Sequence, residues 1–387
     1  MRIIHTSDWH LGRSFHREGM LDAQAQFVDQ LIATIASEQA DLVVVSGDVY
    51  DRALPPVDAV ALADEAFARL ATSRAKVVVT SGNHDSARRL GFNSRLIDVS
   101  GIYFRTDAAS CGIPVLIDDE HGPVAVYPLP YLEPDVLREP WQLRSRSHAA
   151  VLSEAMRRVA TDLARRSAGT RSVAMAHAFV AGGDASDSER DISVGGVSIV
   201  PTTLFEGVDY AALGHLHGRH TLTETIRYSG SPLAYSFSET DHVKGSWLVE
   251  LGSSGFERAD FIESPVPRRL ARLRGPLLEL LADPRHTAKE DCWVQAVLTD
   301  PVRPTSAMER LRTRFPHTLV LSFEPTGGKA PSAPGSRPVA GRSDHEVALD
   351  FVTDVRGSKP TEAEAALLLD ACDGCRHGSD ADQVLSR

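Results

Sequence analysis

Cysteine is scarce: four in 387 residues, at positions 111, 292, 372 and 375. That excludes a disulfide framework and suits a reducing compartment. Apolar runs such as Leu42–Val45 are far shorter than the roughly 20 residues a membrane span needs. The first residues, Met1 to Asp8, form no apolar leader, so export is not expected and a cytoplasmic location is. Positive charge is in deficit, 41 Lys and Arg against 52 Asp and Glu, for a net charge of −11. This argues against a generally basic nucleic-acid coat. What is present is ordinary globular composition, 42% hydrophobic and 24% charged, with room for two or three domains. Fifteen histidines are more than a bland fold requires.

Short apolar runs alternate with amphipathic stretches up to about residue 250. Ile3-Ile4, Leu42–Val45, Val77–Val79, Ser172–Met175 and Tyr210–Leu213 read as buried strands. Met20–Gln39 carries Leu21, Phe27, Leu31 and Ile35 at helical spacing, and Val57–Ser73 repeats this with Val60, Ala63, Phe67 and Leu70. Ser153–Arg166 reads as a further helix. The alternation predicts an α/β domain over residues 1–255. Residues 264–325 come next as a small α+β unit with strands at Trp293–Leu298 and Thr318–Phe323 and a helix at Ser306–Phe315. A Pro-, Gly- and Ser-rich linker occupies 326–344. Two helices, His345–Val355 and Thr361–Cys372, lie in the last segment, 345–387, the second opening on a Thr361/Glu364 capping box. No internal repeat is evident.

The chemistry lies in the residues just beyond each strand. Ile3-Ile4 leads into Asp8-Trp9-His10, and Leu42–Val45 into Gly47-Asp48. Val77–Val79 leads into Gly82-Asn83-His84-Asp85, Ser172–Met175 into His177, and Tyr210–Leu213 into Gly214-His215-Leu216-His217. Loops at the carboxyl ends of strands converge, so five competent residues in succession point to one site. Oxygen and imidazole donors without cysteine suit Mn²⁺, Fe²⁺ or Zn²⁺. Seven candidate ligands (Asp8, His10, Asp48, Asn83, His177, His215, His217) are too many for one open ion and about right for two sharing a carboxylate. Two ions about 3.5–4 Å apart activate water and clamp a phosphoryl group.

These motifs resemble the five motifs of calcineurin-like metallophosphoesterases. Within that superfamily, residues 5–12 (HTSDWHLG), 47–52 (GDVYDR) and 228–239 (YSGSPLAYSFSE) resemble the bacterial SbcD family of double-strand-break repair nucleases. The last stretch is not needed for metal binding. The likeness is strong over residues 1–250, moderate over 264–325, where 298–304 (LTDPVRP) resembles the family's capping domain, and thin beyond 342.

The resemblance implies an α/β fold: a two-sheet sandwich flanked by helices, a capping domain and C-terminal helices. It implies a di-manganese centre, with Mg²⁺ as a possible substitute. One ion would lie on Asp8, His10, Asp48 and His217, the other on Asp48, Asn83, His177 and His215, with Asp48 bridging. His84 would be the catalytic histidine that stabilises or protonates the departing 3′ oxygen. Archaeal relatives carry a histidine where this chain has Asp51. In related phosphoprotein phosphatases an aspartate at this place orients the catalytic histidine, which suggests an Asp51–His84 pair. The implied activity is a Mn²⁺-dependent, ATP-assisted double-strand 3′–5′ exonuclease and single-strand or hairpin endonuclease. The implied partners are DNA ends and hairpins, an SbcC-like coiled-coil ATPase docked on the C-terminal helices, and a second copy through residues 85–99, where Leu90, Ile97 and Val99 offer apolar surface. A homodimer within a heterotetramer, with no membrane, is expected.

The rivals are a stand-alone enzyme for small phosphodiesters or nucleotides and a non-catalytic DNA-end tether. Arg13, Arg52, Arg88, Arg89 and Arg95 flank the motif loops and are candidates for DNA phosphates. Cys372 and Cys375 have the spacing of half a zinc site with no second pair nearby. Residues 184–191 form an acidic loop, either plain surface or one that orders on metal or DNA.

Overall fold

The computed structural model describes residues 1–189, 199–326, 341–356 and 358–384, with 375–384 by backbone only. The expected linker and the end of the acidic loop lie largely outside the described residues, as does the Cys375 side chain. Two compact units are present, one of Met1–Arg272 with Asp291–Val294, the other of Leu273–Glu290 with Gln295–Arg387.

Twelve strands build the first unit's two sheets. They are β1 (Arg2–Thr6), β2 (Leu42–Ser46), β3 (Lys76–Thr80), β4 (Ile102–Phe104), β5 (Val115–Asp119), β6 (Gly122–Leu129), β7 (Arg171–His177), β8 (Tyr210–Gly214), β9 (His220–Thr221), β10 (Ile226–Tyr228), β11 (Gly245–Gly252) and β12 (Gly255–Glu263). One sheet runs β12-β11-β1-β2-β3-β4 and the other β5-β6-β7-β8-β10-β9. The β1–β4 strands pair in parallel, as do β6, β7 and β8. The sheets meet face to face: Ile3, Val44 and Val78 pack with Val126, Val173 and Met175. Their neighbours turn outward, Val43, Val45 and Val77 towards the helices Leu21–Ser37 and Val57–Thr72. Ala174 and Ala176 turn to the helix His148–Leu163 on the other side. Burial on both faces is why these strands read as unbroken apolar runs, each valine contributing about 1.5–3 kcal/mol.

The helix Val57–Thr72 keeps Ala63, Phe67 and Leu70 of its expected face against the core but turns Val60 outward. Ala59, Ala63, Ala66 and Leu70 are buried, while Val60 stays exposed and Phe67 is half-buried. The small alanines let the helix lie close on the sheet. Leu21 is likewise only half-buried, although Phe27, Leu31 and Ile35 face the core as expected. Leu90 is buried and Ile97 packs against the same core, so neither offers free surface. The exposed apolar residues of that segment are Phe92, Leu96 and Val99.

Three further strands, β13 (Leu270–Gly275), β14 (Trp293–Leu298) and β15 (Thr318–Phe323), form a three-stranded sheet in that order. Short helices at Leu277–Ala282 and Ala307–Arg312 accompany it. The helices Asp344–Arg356 and Glu362–Val384 complete the chain's regular structure. Among the described residues no helix is long and apolar enough to cross a membrane.

Candidate metal centre

The five motif-bearing strands belong to different sheets, β1, β2 and β3 to one and β7 and β8 to the other. The loops at their ends leave strand geometry abruptly. Asp8, His10, Asp48 and His215 all have positive φ, at 55°, 46°, 50° and 106°. Each such non-glycine residue costs on the order of 1–3 kcal/mol and persists only where its surroundings over-determine it. Here the surroundings are a backbone ladder: the amides of Asp8, His10 and Leu11 donate to the carbonyls of Gly47, Asp48 and Val49 at 2.9–3.0 Å. The Asp85 carboxylate accepts from the amides of Val49 (3.1 Å), Tyr50 (2.9 Å) and Gly82 (2.9 Å), tying the loop after β2 to that after β3. Gly82 is required by space, since a Cβ there would lie 2.1 Å from Asp48 Oδ1.

Donor atoms converge inside this frame. His10 Nε2 and His217 Nε2 lie 3.0 Å apart. Asp48 Oδ2 lies 3.6 Å from His10 Nε2 and 3.4 Å from His177 Nε2, so one carboxylate faces both halves of the site. Asn83 Oδ1 is 2.9 Å from His177 Nε2. Three groups bring donor atoms within 4.8 Å of one another: Asp8/His10/His217, His10/Asp48/His84 and Asp8/Asp48/His177. His215 stacks edge-on to His177, with ring centroids 5.3 Å apart, and belongs to none of the three. Its amide donates to both oxygens of Asp8 at 3.1 Å. His177 is oriented by the Ser46 carbonyl, 3.0 Å from its Nδ1, which leaves Nε2 for the cluster.

The electrostatics suit a cation. Burial holds His10 and His215 well below the usual imidazole range, so both imidazoles are neutral. Burial raises Asp8 to about 6 against the pull of His177 and His217. Asp48 resists burial because His177 lies beside it, and stays well below the ordinary carboxylate range. Burial would lower His177, but Asp48 and then Asp8 lift it to about 9. His177 thus carries a proton where two buried carboxylates face each other, the position a divalent ion would take over. Two carboxylates, an amide oxygen and imidazoles, with no thiolate, match Mn²⁺-, Fe²⁺- or Zn²⁺-type donor chemistry.

Residues 1–219, more than half of the chain, match the model of the calcineurin-like phosphoesterase family. The chain belongs to that family. It is a metal-dependent phosphoesterase, and a hydrolase. Residues 266–356 of this phosphoesterase match a second family model, SbcD_C, described as the type 5 capsule protein repressor C-terminal domain. The two matches together support a nuclease of the SbcD type. Among solved structures, the crystal structure of TT1561 of Thermus thermophilus is similar at 11% identity and a TM-score of 0.39, over 68% of this chain and 98% of that one.

In the phosphoesterase, Asp51 meets His84 differently from the expected carboxylate–imidazole pair. His84 Nδ1 lies 2.7 Å from the main-chain oxygen of Asp51. The Asp51 carboxylate points to His10 Nδ1 (3.8 Å), Arg13 Nε (3.7 Å) and Arg52 Nε (3.4 Å). The bend that begins at Asp51 carries the carbonyl to His84 and the side chain towards the arginines. Arg13, Ser14, Asp51, Arg52 and His84 line a cavity of about 320 Å³. Arg88 and Arg95 are exposed, and Arg89 donates to the Ala53 carbonyl.

Several supporting residues carried no readable signal. Gln24, 1% exposed on the apolar face of its helix, donates to the His10 carbonyl and accepts from the Gly12 amide, clamping the first motif loop. A glutamine on the buried face of an amphipathic helix was the one available hint. Asp85 stands inside the third motif, yet its clamp role needs the fold. The described part of the acidic loop is built into the site. Glu189 accepts from the His217 amide at 2.7 Å, and Ser188 Oγ lies 2.6 Å from His217 Nδ1.

Proposed function

We propose that the phosphoesterase is the nuclease subunit of an SbcCD-like complex, acting in DNA repair, recombination and replication. It would be a Mn²⁺-dependent, ATP-assisted double-strand 3′–5′ exonuclease and single-strand or hairpin endonuclease. The observation carrying this reading is the meeting of His84 with the donor cluster at a cavity flanked by arginines. Its ring centroid is 4.7 Å from that of His10, and Arg13 and Arg52 share its cavity. Cationic side chains there suit the phosphates of a nucleic-acid backbone.

Asp8, His10, Asp48 and His217 would hold one ion, and Asp48, Asn83, His177 and His215 the other. When bound, the ions would supply Lewis-acid polarisation of the phosphoryl oxygens and lower the pKa of an attacking water. His84 handles the leaving group. A carbonyl only accepts, so Nδ1 keeps the proton that it donates to Asp51, and Nε2 is the atom that exchanges a proton with the departing 3′ oxygen. The Asp51 carbonyl is thereby a positioning group for His84.

Exposed Phe351, Val355, Leu367 and Leu369 on the C-terminal helices support docking of a coiled-coil ATPase. Exposed Phe92, Leu96 and Val99 support pairing with a second copy. The deciding experiment is cleavage of a blocked-end hairpin duplex with Mn²⁺ or Mg²⁺, with and without the ATPase and ATP. Hydrolysis of bis(p-nitrophenyl) phosphate with no cleavage of hairpin DNA under any of these conditions would overturn the nuclease reading.

A further inference from the structure

The stretch 228–239 resembles the nuclease family most specifically, yet it contributes no ligand to the centre. Its last residue, Glu239, is 1% exposed and lies behind His217. Glu239 Oε2 pairs with the Nζ of Lys244, itself 4% exposed. Lys244 Nζ also donates to the His217 carbonyl (2.7 Å) and to Ser231 Oγ (3.0 Å), so all its N–H groups have acceptors. Glu239 Oε1 accepts from Ser188 Oγ at 2.7 Å and from the Tyr235 amide at 3.1 Å. Ser188 Oγ in turn lies 2.6 Å from His217 Nδ1. With Glu189 on its amide, His217 is held at its backbone nitrogen, its carbonyl oxygen and Nδ1, and only Nε2 faces the donor cluster.

We propose that Glu239, paired with Lys244 and acting through the Ser188 hydroxyl, is a positioning residue that sets the tautomer of His217 for the metal centre. This rests on the reading of His217 as a metal ligand. The direction of the chain of hydrogen bonds is fixed by which groups can donate. Ser186 Oγ, 2.8 Å from Ser188 Oγ, gives its own hydrogen to Glu189, and a carboxylate facing an ammonium only accepts, so the single hydroxyl hydrogen of Ser188 goes to Glu239. The lone pairs of Ser188 Oγ then face His217, so Nδ1 carries the imidazole proton and Nε2 is bare. A bare nitrogen aimed at the cluster is what ligation requires, and buried partners of this kind hold ligand orientation. The signature segment 228–239 and the loop 184–189 are thus two halves of one support.

The test uses the full-length chain. In the metal-free protein, ¹⁵N imidazole spectra should show His217 protonated at Nδ1, with the same state in Ser188→Thr, which keeps the hydroxyl. Ser188→Ala should lose that preference. Glu239→Gln should move the proton towards Nε2, because an amide NH₂ facing Ser188 turns the hydroxyl hydrogen onto Nδ1. In titrations with Mn²⁺ alone, Ser188→Ala should weaken one of two ions by about 10–100-fold, with Ser188→Thr restoring it. A wild-type His217 protonated at Nε2 would overturn the proposal. So would a Ser188→Ala protein with unchanged tautomer and Mn²⁺ affinity. If the wild type binds no Mn²⁺, the functional reading falls, while the metal-free spectra still decide the relay.

Discussion

The strand-tip loops of the sandwich and the two C-terminal helices break opposite rules. In the loops, polar groups are buried and the backbone is strained: Asp8, His10 and Asp48 are at most 1% exposed and all have positive φ. The helices open on regular capping signals. Ser343 with Glu346 and Thr361 with Glu364 form capping boxes, and Arg356 pairs with Glu364 across the turn. Yet Phe351 is 56% and Leu367 68% exposed, and the helix Asp344–Arg356 buries no residue. Strain is stored where two well-packed sheets can hold it, and that is where the candidate ligands gather. Apolar surface is left outward where local order is already secured, which is the surface the proposed partner docking would use.

The contrast breaks most completely at Asp48, whose carboxylate faces both halves of the centre. Asp48→Asn should abolish Mn²⁺ binding, measured calorimetrically, and lower phosphodiester hydrolysis beyond the roughly 10⁴-fold that a lost proton-transfer group accounts for. Retention of both ions would show that Asp48 does not bridge. His84→Ala should cost about 10²–10⁴-fold in turnover on hairpin DNA with Mn²⁺ stoichiometry intact, and loss of an ion would make His84 a ligand instead.

Gly82→Ala separates packing from chemistry. The added methyl collides with the Asp48 carboxylate, so thermal stability should drop by about 1–3 kcal/mol and Mn²⁺ affinity with it. A melting curve and titration matching the wild type would show that the loop yields freely.

If His177 is a ligand as proposed, protons and metal compete there, since Asp48 raises its pKa to about 9. Mn²⁺ affinity should therefore rise about tenfold per pH unit between 7 and 9 and level off above. The sign reverses for the metal-free protein. A folded pKa above the unfolded 6.5 gives stability that is complete below pH 6.5 and is lost as pH rises through about 9. A pH-independent Mn²⁺ affinity over this range would reject the competition.

The smallest effect on catalysis belongs to the helices. Phe351→Ser with Leu367→Ser should leave hydrolysis of a small phosphodiester and the melting temperature unchanged. It should weaken capture of the coiled-coil ATPase by roughly 30-fold, as expected for loss of a buried apolar anchor. Unaltered capture would move the docking site elsewhere.

Much of the candidate centre is legible because its residues come directly after strands: Asp8, Asp48, His84, His177 and His217 each stand within a few residues of an apolar run. Apolar runs register on the one-dimensional chain since both faces of each sheet are covered. On Val57–Thr72 only Val60 departs from the expected buried face, which Ala59 and Ala66 extend, because alanines carry little hydrophobic signal even where close approach selects them. Asp51 illustrates another limit, since the identity of a residue does not tell whether its side chain or its carbonyl turns inward.

Composition, spacing and the order of motifs along the chain therefore determined the donor types, the α/β class and the family, all of which depend on local pattern. Only the tertiary structure decided that the five tips come from two sheets, that Asp85 and Gln24 lock the loops, and that Ser188, Glu239 and Lys244 stand behind His217. Relations of this kind reach far along the chain: the Tyr235 hydroxyl donates to the Trp9 carbonyl, 226 positions away. Such contacts arise from packing two sheets against each other, and no period or spacing within a single segment encodes them.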